Sequence, residues 1–136
     1  MIQRIQSLWL LLASACAFLT MKFPFYYIGT NPNVTSDQFN ATTNMILLIS
    51  TAILATLCLF TIFIYKQRKL QIWLTILAIV ISLLNIFLYF NYKKEYLGGG
   101  LALTSVFSFI IPVFLFFAAQ GIYKDQKLVK SMDRLR

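Results

Sequence analysis

A chain of 136 residues has room for one domain or one small helical bundle. Its hydrophobic share is 60 % and its charged share 12 %, with 13 Phe, 7 Tyr and 2 Trp, which leaves too little polar surface for a soluble globular enzyme or a disordered chain. The net charge is +8, and the absence of His together with only two Cys excludes imidazole metal sites, His-based catalysis and a disulfide or Cys-rich zinc scaffold.

What remains is an integral membrane protein. The first apolar stretch covers residues 5–28 and is firmest up to Met21; Lys22 can snorkel to the headgroups. Arg4 followed by LLASAC up to Cys16 has the outline of a signal peptide. Apolar sequence nevertheless continues through Ala17, Phe18 and Leu19, and Ala13 suits a lipoprotein box poorly, so an uncleaved span is expected. Residues 29–44, GTNPNVTSDQFNATTN, read as a polar loop with no core of its own. Two glycosylation sequons inside it, at Asn33 and Asn40, are matches that any Asn/Thr-rich loop produces by chance.

The second stretch, residues 45–65, has 17 apolar residues of 21, and so has the third, residues 72–92. Only the short segment KQRKLQ separates them, which makes them antiparallel neighbours. After KKEYLGGG, where Gly98, Gly99 and Gly100 offer a flexible lead-in, the fourth stretch covers residues 101–122 and contains Pro112, at which a kink is expected. None of these runs alternates polar with apolar residues, so the spans are helices and not β-strands. The predicted fold is an all-α integral membrane four-helix bundle forming one domain over residues 1–136.

Polar groups inside the spans should face other helices. Asn85 is the costliest, with Ser82 three residues before it on the same face; Ser105 and Ser108 stand near Pro112 in the fourth span. These four are candidate intramembrane polar contacts, either tying helices together or lining a path. Small residues at four-residue spacing, Ala13/Ala17 and Thr51/Ala55, allow close helix approach. Cys16 and Cys58 lie within spans and act as small hydrophobes.

The tail, residues 123–136, has no Gly or Pro and should extend the fourth helix. Leu128, Met132 and Leu135 line one face, and Lys124, Lys127, Lys130 and Arg134 another. The four basic residues are candidate contacts to anionic lipid headgroups or to a partner.

With the N-terminus inside, nine Lys and Arg residues fall on inner segments and three on outer ones, so both ends are expected in the cytoplasm. Trp9, Tyr65, Trp73 and Tyr123 then lie at the inner interface, with Tyr26, Tyr27, Tyr89, Tyr92 and Tyr96 at the outer one.

The opening MIQRIQSLWLLLA and the closing KDQKLVKSMDRLR resemble the start and finish of a family of small four-span inner-membrane proteins from Bacteroidota, domain of unknown function 4293. That resemblance implies a bacterial cytoplasmic membrane and a four-span layout; it implies no activity, cofactor or site residue.

Three function classes compete. Chemistry needs a titratable group in a cleft, and the four acids, Asp37, Glu95, Asp125 and Asp133, all read as loop or tail residues, so no enzyme, cofactor or metal site is expected. Proton-coupled export lacks an intramembrane carboxylate, although an oligomeric pore or small-molecule transporter lined by Ser82 and Asn85 is an alternative. A structural or accessory subunit contacting lipids, other membrane proteins or itself, and no nucleic acid, fits the residues best.

Overall fold

The computed structural model describes residues 3–28, 37–39, 41–64, 67–93 and 99–134. Four helices dominate: α1 (Gln3–Lys22), α2 (Met45–Phe63), α3 (Arg68–Lys93) and α4 (Val106–Arg134). All are long and apolar enough to cross a membrane. Each of α1 and α3 packs against both α2 and α4, so the helices form a ring with α1 and α3 on the diagonal.

The buried positions reveal how the ring closes. They fall at Gln6, Leu10, Ala13, Ala17 and Thr20 on α1, and at Leu47, Thr51, Leu54, Cys58 and Thr61 on α2. On α3 the same seam runs through Gln71, Thr75, Ala78, Ser82, Asn85 and Tyr89. Each stripe steps by four and three residues, the 3.5-residue period that keeps one narrow face turned to its neighbours. Most side chains in these seams are small or polar, with Leu10, Leu47, Leu54 and Tyr89 the large ones, whereas Phe60, Phe63, Trp73, Phe87 and Phe116 stand on the outside. A soluble bundle would show the reverse. Apolar outside and small or polar inside is the pattern of a bundle solvated by lipid, where close backbone approach and not hydrophobic burial holds helices together.

The first helix is shorter than the apolar run that contains it. Phe23 still donates its N–H to Leu19 O at 2.9 Å, but Pro24 has no N–H and disfavours helical geometry in the residue before it. The chain leaves the helix there and forms β1 (Tyr26–Ile28), the centre of a small antiparallel sheet between β2 (Asp37–Phe39) and β3 (Gly99–Leu101). Tyr26 pairs with Phe39 on one side and Leu101 on the other.

The outer segment, expected to lack a core, therefore contributes to one. Its described part holds β2 and a turn of 3-10 helix (Ala41–Thr43), and fully buried Ala41 packs with Phe25, Tyr26, Leu47 and Tyr89. Residues 29–36 and Asn40, with both sequon asparagines, lie outside the described residues. Of the three glycines expected to give a flexible lead-in, Gly99 and Gly100 are paired strand residues and Gly98 lies outside the described residues. Tyr26 and Tyr89 also depart from expectation: both are buried, and Tyr89 stacks on Phe25 at 4.2 Å, so neither is an interfacial anchor.

At the opposite end, Gln67 donates its N–H to Ile64 O and closes the tight connection between α2 and α3. Helix α4 runs without a break through Pro112 to Arg134, 29 residues or about 43 Å, so it outlasts a hydrocarbon core of about 30 Å and projects beyond it. Within that extension Lys124, Lys127, Leu128 and Lys130 are exposed. The side chains of Met132 and Arg134, and all of Leu135, lie outside the described residues.

Candidate functional site

Most of the buried polar residues gather into two clusters, and the layer between them is apolar apart from Ser14 and Thr75, whose hydroxyls donate to Leu11 O and Gln71 O of their own helices. The first lies in the half of the bundle nearer the sheet. Ser82 and Asn85 of α3, Ser108 of α4, Thr20 of α1 and Thr51 of α2 surround a cavity of about 10 Å³, room for a single water. Asn85 ties two helices together: Ser50 of α2 donates its hydroxyl to Asn85 Oδ1. Its Nδ2 is buried and has no partner among the described residues. The hydroxyls around it turn back on their own helices. Ser82 donates to Ile79 O, Thr20 to Ala17 O and Thr51 to Leu47 O, each at 2.7 Å. Ser105 is also buried but stands outside this cavity, in the 3-10 turn (Leu103–Ser105) that leads into α4.

Between the clusters lie Leu10, Ala13, Leu54, Cys58, Ala78, Leu115 and Ala118, nearly all at zero exposure. Cys16 and Cys58 are free thiols packed in this layer. Their side chains fill the middle of the bundle.

The second cluster lies at the end shared by the start of α1, the α2–α3 connection and the end of the apolar part of α4. Gln6, Arg68, Gln71 and Asp125 line a cavity of about 30 Å³. Arg68 Nη1 donates to the backbone oxygen of Asp125 at 3.2 Å, and Gln71 Nε2 donates to Thr61 O at 3.4 Å. Gln6 Nε2 is buried without a partner among the described residues. The backbone of α4 comes so close here that a methyl group on Gly121 would lie 2.7 Å from Gln6 Cγ. Glycine at this position is what lets α1 and α4 touch.

Asp125 is the residue that the sequence reading misplaced. Read as a solvated tail acid, it is 7 % exposed and belongs to the bundle. The signal was available: the buried stripe of α4 runs Ile111, Leu115, Ala118, Ile122, and its next step is Asp125. Gln6 and Gln71 continue the stripes of α1 and α3 in the same way. Ser50 sits beside the stripe of α2 and carries no such signal.

The candidate lipid contacts occupy a third place. Lys124, Lys127 and Lys130 are exposed on the projecting part of α4, and Lys69 is exposed on the first turn of α3 beside it. Together with Arg68 they make the end of the bundle that holds the chain's N-terminal helix start strongly basic.

The family described as domain of unknown function (DUF4293) matches residues 2–135. The chain belongs to that family. No curated protein and no solved structure matches it. Membership therefore brings a family and no assigned chemistry, and within it this chain is a four-helix bundle with the build of a multi-pass membrane protein.

Proposed function

We propose that this DUF4293 chain is a non-enzymatic, structural or accessory protein of the bacterial cytoplasmic membrane, with both ends inside. It works through its basic terminal face, which contacts anionic lipids or membrane partners. The observation that carries this reading is how the interior spends its polar groups. Hydroxyls in the spans donate to carbonyls of their own helices, Ser50 is tied to Asn85, and the two internal cavities have the size of one or a few waters. A substrate path needs groups facing a void, and here a layer of fully buried Leu and Ala fills the space between the clusters.

The basic face supplies the other half. Net charge of +8 with exposed Lys69, Lys124, Lys127 and Lys130 at one end matches an anionic leaflet, each basic residue contributing about 1 kcal/mol near its surface. Purification in gentle detergent tests the reading. A partner that co-purifies in fixed ratio and is lost when the chain is cut after Lys127 supports it. A self-assembled ring with a water-filled centre overturns it in favour of a pore.

A further inference from the structure

We propose that the groove between the first turn of α3 and the projecting part of α4 is a binding site for the headgroup of an anionic phospholipid. The groove encloses about 770 Å³ and opens outward. Three cations line it, Arg68 and Lys69 from α3 and Lys130 from α4. Leu70 and Val129, about 40 % exposed, supply its apolar wall. The nearest described carboxylate, Asp125, is buried and lines the neighbouring cavity, and its backbone oxygen takes one donor of Arg68. That bond fixes the guanidinium at the rim and leaves its remaining donors for a bidentate contact to phosphate.

Depth selects a lipid over a free anion. Trp73 and Tyr123 are 75 % and 64 % exposed, and such rings settle where hydrocarbon meets headgroups. Arg68 lies five residues beyond Trp73 and Lys130 seven beyond Tyr123, distances of about 7–10 Å along the helices. This is the depth of the headgroup layer. The site deepens the reading of the terminal face as the lipid-contacting one and rests on it. It adds a specified pocket built from two helices where that reading needs only a charged surface.

The test uses the full chain in detergent, with bound lipid counted by native mass spectrometry against added phosphatidylglycerol or phosphatidylcholine. Wild-type protein should retain phosphatidylglycerol in preference to phosphatidylcholine. Lys69→Gln with Lys130→Gln should weaken that retention roughly 30-fold, the loss of two headgroup-level cations. Lys124→Gln with Lys127→Gln removes the same charge outside the groove and, with no anionic leaflet in detergent and no contact to the lipid held in the groove, should change its retention less than about threefold. All four positions are exposed, so both double variants should fold, which circular dichroism checks. Equal losses in the two double variants would mean diffuse attraction and overturn the site while leaving the basic-face reading intact. Equal retention of phosphatidylcholine, or inorganic phosphate displacing the lipid from the wild-type protein at comparable concentration, would overturn it as well. Loss of the partner-binding reading leaves the lipid measurement unchanged, so the two fail separately.

Discussion

Ser50 of α2 donates its hydroxyl to Oδ1 of Asn85 on α3, and this bond joins neighbouring helices in the half of the bundle nearer the sheet. Ser50 also lies 3.1 Å from Leu47 O of its own helix, so its proton has a second acceptor when Asn85 is removed. The tie is therefore modest in energy. Intramembrane side-chain hydrogen bonds average about 0.6 kcal/mol and reach about 1.7. In a double-mutant cycle, Ser50→Ala and Asn85→Leu should couple within that range. Asn85→Leu alone should leave a folded bundle changed by no more than about 2 kcal/mol, measured by reversible unfolding in mixed micelles.

A second expectation concerns the cavity beside Asn85. Its volume of about 10 Å³ and its rim of Thr, Ser and Asn side chains suit one bridging water. A high-resolution experimental structure should place a water within hydrogen-bond distance of Asn85 Nδ2. An Asn85 amide bonded directly to a protein oxygen would remove the reason for it.

Glycine offers a contrast between two sites. At Gly121 an added methyl group meets Gln6 Cγ at 2.7 Å, and at Gly100 it meets nothing within 4 Å. Gly121→Ala should cost about 1–3 kcal/mol by overpacking. Combining it with Gln6→Ala should recover part of that loss. Gly100→Ala should stay within about 0.5 kcal/mol of the wild type.

The two possible truncations of α4 should behave differently. Cutting after Tyr123 removes Asp125, whose backbone oxygen accepts from Arg68, and exposes the cavity lined by Gln6 and Gln71. That loss should lower stability by about 1–3 kcal/mol. Cutting after Lys127 leaves this end of the bundle whole and should cost little, because Leu128, Val129 and Lys130 are exposed. Detergent unfolding of the two truncated chains decides the order.

How much was legible beforehand follows from what the sequence encodes locally. Spans, their number and the helical tail follow from unbroken apolar runs and the absence of breakers, which need no partner to be read. The packing of Ala13, Ala17, Thr51 and Ala55 was also legible, because small residues at one-turn spacing have few other uses in a membrane helix. The cap was not. Pairing of Tyr26 with Phe39 and Leu101 joins segments far apart in the chain, and three-residue strands carry no period. Asp125 was missed because a charged residue past an apolar run reads as solvated until the helix stripe is followed through it. Ser50 was missed because its partner lies 35 residues away on another helix.

Orientation rests on the distribution of basic residues and has its own check. Cysteine placed at Thr35 should be labelled by an impermeant maleimide from outside intact cells, and cysteine placed at Gln67 should not. The native Cys16 and Cys58 are buried and should stay silent. The reverse labelling would invert the topology and put the basic groove on the outer leaflet.

The central claim is that the interior is closed and that the work is done on the surface. Ion flux into liposomes carrying the purified full chain tests it most directly. A bundle plugged by Leu10, Leu54, Cys58 and Leu115 should give flux no higher than protein-free liposomes, with Asn85→Leu indistinguishable from wild type. Flux that rises with protein content and disappears in Asn85→Leu would contradict the account and make the polar cluster a pathway.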